Sequence, residues 1–138
     1  MADLIEIQQL LYRYCWAHDS RDTELLAECF TEDVELLGGQ GRPAVVARYA
    51  RGYETLTKRR RHVISNTFFL EDGETEAVVQ SYVTLYLIDG EEESLHLTGV
   101  YRDHVVIEDG RWKIRTREAV MDVPYRPGDV LPREQRRA

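Results

Sequence analysis

Cysteine is scarce in this 138-residue sequence: only Cys15 and Cys29 occur. Two are too few for the disulfide framework of a small secreted domain, and neither lies in a CxxC or Cys/His cluster. They read as small buried side chains on helices. Long apolar runs are missing too, since no stretch approaches the ~20 residues of a membrane span. The opening residues Met1–Glu6 lack the basic and apolar regions of a secretory signal, so the expected location is the cytoplasm. Positive charge is in deficit: 18 Lys and Arg against 25 Asp and Glu leave a formal net charge of −7, which argues against nucleic-acid binding. The one basic run, Lys58-Arg59-Arg60-Arg61, has no interleaved aromatics and reads as a solvated loop before a strand. No phosphate loop occurs, because Gly38-Gly39-Gln40-Gly41 carries neither GxGxxG nor a following Gly-Lys-Ser. No Gly-x-Ser-x-Gly elbow occurs either. His18, His62, His96 and His104 show no HExxH or tight ligand spacing, so no metal site is expected.

What is present is an apolar share of 43%, too high for a disordered chain and sufficient for one packed domain. Residues 4–18 carry Leu4, Ile7, Leu11, Tyr14 and His18 at helical spacing, with Asp3 as the cap. A short helix is expected at 23–30 behind Asp22, a short strand at Val34–Leu37, and a third helix from Pro43 with Val46, Tyr49, Ala50 and Tyr53 on one face. From residue 61 the period becomes strand-like. Long strands are expected over 62–70, 76–88, 94–107 and 111–123, separated by Asp72-Gly73, Asp89-Gly90 and Asp109-Gly110. Asp-Gly pairs between strands signal hairpins, so the sheet should be an antiparallel meander. Helices segregated from such a sheet make an α+β domain over 1–123. A long twisted sheet curves, and a curved sheet capped by three helices encloses a pocket. The tail 124–138, with three prolines and four arginines, is expected as a loose arm or one packed on a partner subunit.

Several polar residues fall on faces that should be apolar. On a regular strand His62, Ile64, Asn66, Phe68 and Leu70 share one side. His62 is either a hydrogen-bonded core histidine, a strand-end residue in solvent, or a functional group, and Asn66 raises the same choice. Tyr14 and His18 share a helix face. Asp19 follows at the helix C-terminus, where the macrodipole disfavours an acid. It either organises the turn or has another partner, such as a histidine. Leu95, Leu97, Gly99, Tyr101, Asp103, Val105 and Ile107 share a face of the third long strand, with Gly99 marking a bulge or close backbone approach and Asp103 facing either a cavity or water.

The helix and strand order resembles the nuclear-transport-factor-2-like superfamily, and its SnoaL-like branch in particular. The resemblance rests on Leu11-Tyr12-Arg13-Tyr14 through Asp19 and on Leu26–Val34. Further matches are Arg61-His62-Val63-Ile64-Ser65-Asn66, Gly99-Val100-Tyr101-Arg102-Asp103 and Asp109–Ile114. It implies a cone-shaped α+β barrel with an apolar pocket. Among such proteins are scytalone-type and bile-acid dehydratases, ketosteroid isomerases, polyketide cyclases and a dehydrochlorinase, which usually need no cofactor. By that resemblance Asp19 and His62 form a catalytic dyad and Tyr14 a catalytic hydrogen-bond donor. A carboxylate on one imidazole nitrogen fixes the tautomer and frees the other as a base. The residues expected to hold a small apolar cyclic substrate are Asn66, Tyr49, Tyr53, Phe68, Tyr101 and Asp103. The sequence departs from the scytalone-type pattern in showing no second matching histidine: the strand 76–88 offers Tyr82, Thr84 and Tyr86 instead. Arg102 and Asp103 are adjacent and so face opposite ways, unlike the Arg-x-Asp of the epoxide-hydrolase branch. Many domains of this fold pair through the outer sheet face, where Val78, Tyr82 and Tyr86 would suit a homodimer. The competing reading is a non-catalytic ligand-binding or subunit-assembly module.

Overall fold

The computed structural model describes residues 1–123, and the expected arm at 124–138 lies outside the described residues. The chain opens with α1 (Leu4–Ser20) and α2 (Thr23–Glu28), followed by β1 (Phe30–Leu36), β2 (Gly39–Gln40) and α3 (Arg42–Thr55). Four long strands complete it: β3 (Arg59–Glu71), β4 (Glu76–Asp89), β5 (Glu92–Glu108) and β6 (Arg111–Met121).

Local chemistry explains the helix ends. The Asp3 carboxylate accepts from the Ile5 and Glu6 amides at 3.0 and 3.2 Å, satisfying donors that the first turn leaves open. Arg21 enters the left-handed region at φ 59, and the amides of Arg21 and Asp22 bond back to the His18 and Ala17 carbonyls. Asp22 then caps α2 by accepting from the Leu25 amide at 3.0 Å. Ile7, Leu10, Leu11, Tyr14 and Cys15 form the buried stripe of α1, and Val45 and Tyr49 that of α3.

The six strands form one curved, unclosed sheet in the order β2-β1-β6-β5-β4-β3. The three expected hairpins form: β3–β4, β4–β5 and β5–β6 are antiparallel neighbours. At Asp109-Gly110 both turn residues have positive φ, 54 and 76, as a tight two-residue hairpin loop requires. The sheet is nevertheless mixed. β1 runs parallel to β6, with Phe30 beside Ile114 and Glu35 beside Thr116, which corrects the purely antiparallel expectation. No turn joins β1 to β6, so no local signal announces that pairing. Two smaller corrections concern segment ends. β1 begins four residues earlier than expected, at Phe30. Arg59, Arg60 and Arg61 belong to β3 rather than to a loop.

The core fills the space between the concave sheet face and the helices. Phe30, Ile7, Leu11, Leu26, Val83, Val105 and Ile114 are among its fully buried members. Gly99 marks a close backbone approach: a Cβ there would stand 2.6 Å from the Val120 carbonyl oxygen and 3.2 Å from the Met121 Cα. No helix among the described residues is long and apolar enough to cross a membrane.

Candidate active site

Asp19 closes the last turn of α1 with its side chain turned toward β3. Its Oδ1 lies 2.5 Å from His62 Nδ1, and its Oδ2 accepts the His62 backbone amide at 2.8 Å. Both side chains are buried, 5% and 6% exposed. A buried carboxylate needs such donors, because an unpaired one would be expensive to desolvate. The α1–α2 turn is organised by Arg21 and Asp22, so Asp19 is left for β3. With Nδ1 committed to Asp19, Nε2 is the ring nitrogen remaining for chemistry.

A second histidine completes the pair. The His18 ring lies against that of His62, centroids 4.7 Å apart and tilted by 32°. Its Nδ1 is 2.8 Å from the Tyr53 hydroxyl, and Tyr49 meets it edge-on at 5.1 Å. Burial, reinforced by the His62 ring when that is protonated and by the Arg60 and Arg117 cations, pushes the His18 pKa well below the ordinary 6.5, so this ring is neutral in ordinary buffers. The hydroxyls of Tyr14 and Tyr49 lie 2.8 Å apart. Burial raises both phenols, as it does Tyr53, so all three keep their protons. Two bonded hydroxyls hold two protons and spend one between them, leaving one O–H to donate elsewhere.

Asp103, fully buried, lies across from Arg117 in the β5–β6 ladder. The two form a bidentate ion pair, with Nε–Oδ1 at 2.5 Å and Nη2–Oδ2 at 3.0 Å. The guanidinium is sandwiched between aromatic rings, 4.3 Å from the Tyr14 centroid and 4.0 Å from that of Tyr101. Burial alone would lower the Arg117 pKa, but the Asp103 carboxylate, together with Tyr14 and Tyr101, outweighs it and holds the group charged. Burial raises Tyr101 to about 12. Arg117 Nη1 is buried and has no hydrogen-bond partner. It is a cationic donor with one unused N–H edge among the site tyrosines.

The structure therefore brings Tyr14, Asp19, Tyr49, Tyr53, His62, Tyr101 and Asp103 to the inner side of the fold. It does not bring Asn66 or Phe68, and their expected placement needs correction. Asn66 has a positive φ of 54 and sits where the β3–β4 register shifts, so the strand bulges and the alternation inverts. Beyond the bulge Thr67 and Phe69 turn inward, while Asn66, Phe68 (48% exposed) and Leu70 turn out. Thr67 Oγ1 meets the buried Ser81 hydroxyl at 2.9 Å. The same effect places Leu95 outside, at 57% exposure, because an extra β5 residue separates its pairing from that of Leu97; Ile107 pairs with buried Trp112 near the strand end and is 40% exposed. Asp103 is occupied by Arg117 rather than turned freely to a ligand.

Sequence reasoning missed Arg117 and did not place His18 in the site. Counting back from the Asp109-Gly110 turn without a bulge sets Thr116, not Arg117, opposite Asp103. A β6 bulge shifts the register by one, as the pairs His104–Thr116 and Val105–Ile114 show. The available signal was Asp103 itself, since an acid on an apolar face calls for a cation nearby. Among the described residues, no cluster of three or more metal-ligating side chains occurs.

The sequence profile of the SnoaL-like domain matches residues 1–118. No curated protein matches the sequence significantly. Among solved structures, a protein from Novosphingobium aromaticivorans provisionally named a scytalone dehydratase is 31% identical, with 87% of this chain and 84% of that one covered and a TM-score of 0.76. An aspartate-to-asparagine variant of a Mycobacterium tuberculosis protein of unknown function is 30% identical, covering 86% of this chain and 71% of its own, with a TM-score of 0.76. A Nostoc punctiforme protein of unknown function with a cystatin-like fold, 24% identical, is similar in fold: it covers 89% of this chain and 93% of its own at a TM-score of 0.78.

Proposed function

Because the chain belongs to the SnoaL-like domain family, whose wider superfamily includes cyclases, dehydratases and isomerases, we propose that it is a cofactor-independent acid–base enzyme of that kind. Its substrate is a small apolar cyclic molecule held against the concave face of the sheet, and its base is His62. The observation that carries this reading is the clamp of both Asp19 oxygens on His62, with Nδ1–Oδ1 at 2.5 Å. The clamp holds the tautomer in which Nε2 carries the lone pair.

In a dehydration, Nε2 takes the proton α to a carbonyl, and the electron pair moves into the forming enolate. The Arg117 Nη1–H and the spare hydroxyl of the Tyr14–Tyr49 pair are the donors suited to that developing oxyanion. The β-hydroxyl then leaves, taking the proton back from His62, so the products are one alkene and one water. An isomerisation uses the same first step and returns the proton to a different carbon. The two cysteines are free and buried, which suits the cytoplasm as the site of action.

The test is elimination from a panel of bicyclic β-hydroxyketones, followed by enone absorbance. We expect turnover by the parent and a loss of about 10²–10⁴-fold in His62→Gln, the usual contribution of a positioned base. Asp19→Asn should fall in the same direction. Equal rates for the parent and His62→Gln would overturn the reading.

The outer sheet face supports a second, compatible proposal, that two copies pair through it. Tyr82, Val100 and Val120 lie side by side across β4, β5 and β6, with Tyr82 and Val120 52% and 50% exposed.

A further inference from the structure

We propose that His18, anchored by Tyr53, is a positioning residue that holds the His62 ring with Nδ1 on Asp19. The inference rests on His62 being the base and goes beyond it, to a group that acts through the base. The anchoring runs in one line through three elements. Tyr53 on α3 bonds His18 Nδ1 at 2.8 Å. The His18 ring on α1 covers one face of the His62 ring at 4.7 Å. His62 on β3 bonds Asp19, back on α1. Tyr14 and Tyr49 border His18 at centroid distances of 5.8 and 5.1 Å, so its ring is packed on several sides and has little room to turn.

Orientation by Asp19 alone leaves the imidazole one hydrogen-bonded pivot about its Cβ–Cγ bond. A ring packed on its face removes rotation about that pivot. Nε2 must stay aimed through two proton movements, so the added restraint matters most once His62 has become an imidazolium. A neutral imidazole or phenyl face accommodates that cation, whereas a second imidazolium in contact would repel it.

The groups surrounding His18 enforce its neutrality. Tyr14, Tyr49 and Tyr53 are protonated phenols, while Arg60, Arg117 and a protonated His62 are cations. Asp19 is the acid in the cluster, and both its oxygens are taken by His62. Charge on the His62 ring therefore disfavours charge on His18. Such coupled sites titrate in two separated steps belonging to the pair.

The test is imidazole ¹H–¹⁵N correlation NMR of the full chain across a pH series, without substrate. In the parent we expect two separated steps, with His18 the later to protonate on acidification. His62→Phe should raise the His18 proton affinity about tenfold or more, since a neutral ring replaces a cation. The His62 Nδ1–H resonance should be sharp in the parent, broadened in His18→Ala, and restored in His18→Phe, which keeps a packed ring. Rescue by Phe separates positioning from general destabilisation. A sharp Nδ1–H in His18→Ala, or an unchanged His18 titration in His62→Phe, would overturn the proposal. Because no turnover is measured, coupled histidines in a protein that eliminates nothing would sink the enzyme reading and leave the coupling intact. Active protein with uncoupled rings would do the reverse.

Discussion

Arg117 is the residue on which the buried Asp103 carboxylate depends. Its guanidinium neutralises Asp103 and packs between the rings of Tyr14 and Tyr101. Arg117→Met removes the cation and leaves a fully buried carboxylate with no partner. Breaking a buried pair on one side typically costs about 3–5 kcal/mol. Urea denaturation should show the midpoint falling accordingly, and Asp103→Leu added to Arg117→Met should recover most of the loss. A single variant as stable as the double one would show that the carboxylate finds another partner. Residue-scale chemistry was legible where one side chain broke a local rule. Asp19 sits at the wrong end of a helix dipole, and His62 and Asp103 lie on apolar strand faces. The partners were less legible, because pairing depends on register. His62 could be matched to Asp19 by resemblance, whereas Arg117 stood one residue away from where ideal hairpin counting looks.

At the scale of elements, the boundaries and hairpins follow from local signals that act over a few residues: an Asp3 cap, an Asp22 cap, Asp-Gly turns. Bulges do not. Inverting the face of β3 at Asn66 takes one left-handed residue, and nothing in Ser65-Asn66-Thr67 fixes it before the β4 partner is in place. His18 is the element-scale joint, linking α1 to α3 through Tyr53 and to β3 through His62, and it gives a pH dependence with a definite sign. Its folded-state pKa is lowered, first by burial and then by His62 and the nearby arginines. The unfolded chain therefore binds more protons than the folded one once pH drops below the ordinary value of 6.5. Stability rises with pH through that window. It is fully present above about pH 6.5 and is lost on acidification, by up to about 1.4 kcal/mol for each pH unit below it. His18→Phe removes the titration while keeping the ring. Urea midpoints of parent and variant, compared from pH 7 to pH 4.5, should converge or cross as the pH falls. Parallel curves would mean that His18 protonates equally in the folded and unfolded chain.

At the scale of the whole molecule, the sheet has a concave face covered by helices and a convex face with no covering element among the described residues. That convex face is banded. Tyr82, Val100 and Val120 form an apolar row, and Gln80, Arg102 and Glu118 form a polar row beside it, with Arg102 bonded to Gln80 at 2.9 Å. A two-fold axis lays a surface on its own copy, so opposite charges on one face become complementary across it. Arg102 can then meet Glu118 of the second copy while the apolar rows pack together. A stable interface needs about 800 Å² from each partner, roughly a tenth of this chain's 8006 Å² surface. A patch spanning three long strands can supply that area. Sedimentation should therefore give a mass near twice 16.1 kDa for the parent. Tyr82→Asp sets an unpaired charge at the centre of the apolar row and should shift the species toward the monomer, with the far-ultraviolet spectrum unchanged because the side chain points away from the core. Arg102→Glu should weaken the dimer by placing like charges opposite each other, and Arg102→Glu with Glu118→Arg should restore it. A parent that sediments as a monomer, or a charge swap that restores nothing, would rule this face out as the contact and leave the apolar row as ordinary exposed surface.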